Sequence, residues 1–112
     1  HAFHSPLMEP ILGQFRRVAN TITYRPPQIN LVSNVTGARV YKEIAIPDYW
    51  VRHLQETVRF ADGVKVLHEQ NVNFMLEIGP KPTLLGMVEL QSSENPSSMP
   101  MMMPSLRENR SD

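Results

Sequence analysis

The side chains best suited to proton transfer in this 112-residue chain are four histidines, and two of them open it: His1-Ala2-Phe3-His4 runs directly into Ser5-Pro6-Leu7-Met8. An imidazole takes up and returns a proton near neutrality, so a histidine just before a helix start can act as general base and general acid. On residue types alone a plainer reading stands beside this one, in which His4 is a ring packed at the end of an element. Two histidines separated by two residues could also share a metal ion, but a zinc site takes three or four ligands. The other histidines are His53, within an apolar helical pattern, and His68, on an expected exposed helix face, so no metal site is expected. The chain has no cysteine, which excludes a thiolate nucleophile and a disulfide framework. No serine lies in a nucleophile elbow either. The residues offer a base without its nucleophile.

The elements that must position these histidines can be read from spacing. Apolar residues at Leu7, Met8, Ile11, Leu12, Phe15, Val18, Ala19 and Ile22 recur at helical intervals, opposite Gln14, Arg17 and Asn20. Ser5 is placed to cap that helix and Pro6 suits its first position, while Pro10 is tolerable because early helix amides have no partner within the helix. Arg25-Pro26-Pro27-Gln28 breaks the pattern, and residues 29–35 read as a short buried strand before a Thr36-Gly37 turn. Ile46-Pro47-Asp48 starts a second helix running to about Gln55, and a third spans 57–69 with Gly63 inside it. Residues 72–78 read as a second buried strand, closed by Gly79-Pro80-Lys81-Pro82, and residues 83–91 as a last short helix. Strand, helices, strand and helix form a βαβ pattern, which predicts that the two strands run parallel. Residues 91–98 have linker composition, and Met99 to Leu106 is expected either to dock in extended form on a neighbouring surface or to trail as a tail.

Composition narrows the function classes. Eleven basic and eleven acidic residues cancel, so nothing electrostatic favours nucleic acid or an anionic membrane. No apolar run approaches the roughly 18 residues of a membrane span, and a signal-peptide pattern is absent, so a cytoplasmic setting is expected. The opening in mid-motif without methionine leads to the expectation that the chain is a piece of a longer polypeptide.

Three ordered blocks carry a resemblance: His1 to Met8; Tyr49-Trp50-Val51-Arg52-His53-Leu54 leading to Val58-Arg59-Phe60; and Leu76-Glu77-Ile78-Gly79-Pro80-Lys81-Pro82-Thr83-Leu84. Together they resemble the carboxy-terminal part of the acyltransferase domain of modular type I polyketide synthases, over residues 1–90. Met103-Pro104-Ser105-Leu106-Arg107 resembles the linker after that domain, making 91–112 a post-acyltransferase linker. The fold this implies is α/β, a carboxy-terminal part of an α/β-hydrolase-like large subdomain with a parallel sheet, incomplete alone.

The resemblance also implies a reaction. A serine would take a malonyl group from coenzyme A, and the phosphopantetheine thiol of an acyl carrier protein would then accept it. His4 would be the general acid and base, oriented by a main-chain carbonyl that the resemblance assigns to His53. Asn34 matches an asparagine near the family's active site and reads equally as a turn residue. His1 and Phe3 match positions linked to extender-unit choice. Methylmalonyl-selecting relatives usually carry Tyr and Ser there, and a Phe3 ring would occupy the space an α-methyl group needs, which favours malonyl. The family's serine motif, oxyanion-hole glutamine and carboxylate-binding arginine are not among these residues, so the chain is not expected to be active alone. No bound cofactor is implied; the expected partners are the acyl carrier protein, malonyl-CoA and the adjacent ketosynthase and linker regions. A fatty acid synthase acyltransferase, a non-catalytic interdomain docking piece and a small histidine metal domain are the competing readings.

Overall fold

A computed structural model describes residues 3–92 and 99–106 of the chain. The chain falls into two compact units, His1–Val66 and Leu67–Asp112.

The first unit begins as its sequence requires. Ser5 is extended and its Oγ accepts the Leu7 amide at 3.3 Å, capping a 3-10 turn over Pro6–Met8. Helix α1 (Glu9–Ala19) follows, with Glu9 in its first turn and Arg16 and Arg17 in its last, each matched to the helix dipole. The helix stops before the apolar repeat does. Thr21 donates both its amide and its hydroxyl to the Val18 carbonyl, at 3.0 and 2.7 Å, diverting the chain ahead of Ile22. Arg16 pairs with Asp48 at 2.8 Å in the first turn of α2 (Pro47–Gln55). Both side chains are about half exposed, so the pair contributes about 0–1 kcal/mol and mainly fixes register. Leu7, Ile11, Val18 and Ile22 remain exposed, while Met8 and Ala19 enter the core with Val35, Val40, Tyr49, Val51 and Val64.

Between these helices β1 (Leu31–Val32) and β2 (Arg39–Val40) form an antiparallel pair, Leu31 opposite Val40 and Val32 opposite Arg39. The Ser33 amide donates to Ala38 and the Gly37 amide to Ser33, both at 2.8 Å, closing the turn. Gly37 has φ +68°, and a Cβ there would stand 2.5 Å from Asp62 Cβ, so both the turn and the close approach require glycine. A 3-10 turn, Lys42–Ala45, leads into α2, where Trp50 Nε1 donates to the Ile44 carbonyl at 3.0 Å. Helix α3 (Phe60–Glu69) then carries the chain into the second unit.

There β3 (Phe74–Glu77) pairs in parallel with β4 (Met101–Pro104), Phe74 opposite Met101 through Glu77 opposite Pro104. Hydrogen bonds beyond the ladder set this register: Met101 N–H to Asn73 at 3.0 Å, Ser105 N–H to Glu77 at 2.8 Å, and Ser105 Oγ accepting from Gly79 N–H at 2.9 Å. Helix α4 (Thr83–Ser92) starts where the Glu77 carboxylate accepts the amides of Leu84 and Leu85, at 3.1 and 2.9 Å. Those are early helix amides with no carbonyl of their own to meet, so Glu77 ties the end of β3 to the start of α4. Leu85, Val88 and Ser92 are buried, whereas Phe74, Leu76, Met101 and Met103 stay exposed.

Each strand segment has a local partner: β1 pairs antiparallel with β2, because the left-handed Gly37 turn sends the chain straight back, and β3 pairs in parallel with β4. The methionine run takes the extended, docked form of the two expected for it and does not trail as a tail: its backbone forms the parallel partner of β3.

Candidate functional site

His4 has φ +60°, a left-handed conformation that histidine adopts more readily than most residues but that must still be held in place. The end of α2 holds it. The last carbonyls of a helix have no amide partners within it, and one of these, together with the carbonyl just past the helix end, turns to His4. The Leu54 carbonyl accepts the His4 amide at 2.9 Å, and the Glu56 carbonyl lies 3.2 Å from His4 Nδ1. A carbonyl can only accept, so Nδ1 carries a proton here, and in the neutral ring Nε2 keeps its lone pair. That is the tautomer a general base needs.

The oxygen facing Nδ1 therefore belongs to Glu56, in place of the His53 carbonyl expected from the resemblance. His53 lies within the last helical turn, where the carbonyl follows the helix axis. Glu56 is the first residue past the helix, and its ψ of 152° swings its carbonyl aside. Its side chain is separately engaged, taking two hydrogen bonds from Arg52 at 2.7 and 3.3 Å, while its amide donates to the Arg52 carbonyl at 2.8 Å. Glu56 is thus held through three groups while the fourth faces the histidine.

His53 meets His4 through its ring, with centroids 5.4 Å apart and planes at 86°. The same ring stacks on Tyr49 at 6.2 Å and 26° and lies against Trp50 at 5.7 Å. Burial first, and the neighbouring His4 second, hold the His53 imidazole below the ordinary histidine value, so it stays neutral at neutral pH. Behind it Tyr49 Oη and Ser33 Oγ share a 2.7 Å hydrogen bond, and Ser33 Oγ also accepts the Val35 and Thr36 amides at 2.9 and 3.3 Å.

An open cleft of about 550 Å³ adjoins this arrangement, lined by Val35, Thr36, Arg52, Glu56, Thr57 and Arg59. Asn34 lies in the turn that leads into this lining; its side chain is exposed and its carbonyl accepts the Arg59 amide at 2.8 Å. Phe3 is 58 % exposed, so its ring is not committed to the core of the unit. His1 lies outside the described residues. His68, expected on an exposed face, is half-buried in the second unit, where its Nε2 meets Ser92 Oγ at 3.0 Å. Ser92 is only 2 % exposed, so this serine and histidine pack the unit and cannot receive a substrate. Among the described residues no three His, Cys, Asp or Glu side chains converge to hold a metal, and no helix is long and apolar enough to cross a membrane.

Residue types single out His4, whereas the oxygen nearest its Nδ1, that of Glu56, was not among the residues expected at the site. Glu56 gave no side-chain signal because its contact to His4 is made by the main chain; its placement just past the helix end was the available clue.

Comparisons with known proteins identify the family and the fold. The Acyl transferase domain family matches residues 1–112. Over 89 residues the chain is 47 % identical to the polyketide synthase GfsB of Streptomyces halstedii, covering 79 % of this chain and 2 % of that protein. The crystal structure of the acyltransferase domain from the second module of the salinomycin polyketide synthase superposes with a TM-score of 0.87 at 43 % identity, over 98 % of this chain and 25 % of that one. A malonyl-transacylase solved with its type II acyl-carrier protein superposes at 0.76 with 28 % identity, over 94 % of this chain and 32 % of that one. The chain therefore spans a small part of a synthase and about a quarter of the salinomycin acyltransferase chain, with the same mixed α/β fold. It belongs to the acyl transferase domain family.

Proposed function

We propose that this chain is the carboxy-terminal part of an acyltransferase that moves a malonyl unit from coenzyme A to an acyl carrier protein through an acyl-serine, in polyketide biosynthesis. The observation that carries the reading is the 3.2 Å approach of His4 Nδ1 to the Glu56 carbonyl, a contact that needs a proton on Nδ1 and, in the neutral ring, leaves Nε2 to accept one. In the first half-reaction Nε2 takes the serine proton as the oxygen attacks the malonyl thioester, then returns it to the departing coenzyme A thiolate. In the second half-reaction it takes the proton of the phosphopantetheine thiol and gives it back to the serine. The serine belongs to the larger part of the domain that these 112 residues do not include.

Residues 1–90 are the acyltransferase part and 91–112 the segment following it, of which β4 returns to β3. Phe3, with its ring uncommitted, and His1 select the extender unit. A ring where an α-methyl group would go costs methylmalonyl roughly 1–3 kcal/mol, or about 10- to 200-fold. Asn34 contributes to the same site from the β1–β2 turn. The acyl carrier protein is the partner, a role supported by the malonyl-transacylase neighbour that was solved with one. The adjacent ketosynthase and linker regions flank the domain, in a cytoplasmic setting.

The test uses the complete protein that carries this sequence. His4→Ala should abolish acyl-serine formation from malonyl-CoA, and the parent should prefer malonyl- to methylmalonyl-CoA in direct competition. Near-normal loading of the variant would remove His4 from the mechanism, and a preference for methylmalonyl would overturn the role given to Phe3.

A further inference from the structure

The carbonyls of Leu54 and Glu56 fix the His4 backbone and one ring nitrogen, but a single 3.2 Å bond at Nδ1 leaves the imidazole free to swing about it. A general base that swings presents Nε2 to its target only part of the time, and misplacement on the scale of 1 Å can cost about 100-fold in rate. The second constraint on this ring is His53, standing edge-on at 5.4 Å.

His53 is itself fixed from below. Tyr49 and His53 are four residues apart on one face of α2, so their rings overlap, and Trp50, three residues before His53, closes the side. Tyr49 is 5 % exposed and its hydroxyl is tied to Ser33, which is 1 % exposed and carries two amides of the β1–β2 turn on the same oxygen. A buried hydroxyl pair so fully used has no alternative arrangement of comparable energy, so it makes a firm anchor. We infer that the His53 side chain is a positioning residue for His4, set in place by the buried Tyr49–Ser33 pair. Because burial keeps His53 neutral, it can lie beside a protonated His4 without opposing it. The inference names the support of the base in the proposed acyl transfer, and rests on that reading only where activity is the readout.

A structural role alone would be satisfied by any apolar side chain of similar volume, whereas positioning requires a flat ring. Three variants of the complete protein separate the two: His53→Leu, His53→Phe and Tyr49→Phe. Malonyl transfer by His53→Leu should show kcat lowered about 10-fold with KM unchanged, and His53→Phe should recover to within about threefold of the parent. A second readout needs no substrate. Carbethoxylation of His4 by diethylpyrocarbonate, followed by peptide mass mapping, should be confined to one ring nitrogen in the parent and in His53→Phe. In His53→Leu it should be at least threefold faster and reach both nitrogens, with Tyr49→Phe between the two. Equal kcat and equal His4 reactivity in the Leu and Phe variants would overturn the inference, and a Tyr49→Phe protein indistinguishable from the parent would remove the Ser33 anchor from it. If the parent transfers no malonyl group at all, the proposed function fails, while the carbethoxylation pattern still decides the role of His53.

Discussion

Glu56 presents two acceptors of different kinds, a carboxylate and a carbonyl, and replacing it by alanine tells which one serves the base. Glu56→Ala removes the paired contacts to Arg52 at 2.7 and 3.3 Å and leaves the carbonyl 3.2 Å from His4 Nδ1. The ion pair is an i,i+4 contact with both side chains close to half exposed, so its loss should cost about 0.3–0.5 kcal/mol. Arg52 is left in water rather than buried without a partner, and adds no further penalty. In a complete acyltransferase domain that amounts to a drop in Tm of about 1–2 °C. Because the carbonyl survives, kcat/KM for malonyl transfer should stay within about threefold of the parent, or roughly 0.6 kcal/mol of barrier. Were the carboxylate the group that orients His4, its removal would resemble loss of the acid from a Ser-His-Asp triad, which costs on the order of 10⁴-fold. The assay is steady-state transfer from malonyl-CoA to carrier protein, with thermal melting as the control for folding. A loss of 100-fold or more with unchanged melting would refute the carbonyl assignment.

Two further predictions concern the scaffold, one in each unit. Gly37→Ala should destabilise the domain by about 2–4 kcal/mol, combining the left-handed φ with the 2.5 Å approach of the new Cβ to Asp62; denaturant unfolding at unchanged stability would show that the turn can relax. Glu77→Ala should cost about 1–2 kcal/mol by leaving the Leu84 and Leu85 amides without their carboxylate, with Glu77→Gln intermediate, and equal midpoints for all three proteins would mean that water replaces the cap.

Elements whose start and stop are local were legible in the residues. Ser5 caps where its type and the following Pro6 indicate, Ile46-Pro47 begins α2, and Thr83 begins α4. Strand pairing was not legible, because a short apolar run specifies extended backbone without naming its partner. The segment at residues 29–35 looked like half of a parallel crossover, but Gly37 has the left-handed φ that turns the chain back at once, and Ser33 closes the turn with its main chain. The methionines of β4 gave no strand signal, since Met has no β preference to read. What recruits them is Ser105, which satisfies both Glu77 and Gly79 and so locks the register from outside the ladder.

At the site, the histidine proposed as base stands out by residue type and the group facing it does not, for a physical reason. A side chain able to move protons announces itself by type, as the imidazole of His4 does. A main-chain carbonyl is present at every residue and becomes a functional group only through the direction in which the backbone points it. The resemblance assigns such a carbonyl to His53, within α2, whereas the oxygen 3.2 Å from His4 Nδ1 belongs to Glu56. The helix end settles where it falls: carbonyls inside the helix follow its axis, while the first extended residue, Glu56 at ψ 152°, can face a neighbouring loop. His53 is then left to contribute through its ring, which is half-buried, neutral and in contact with His4. The end of α2 thus meets His4 twice, once through a carbonyl just past the helix and once through a ring anchored in the core.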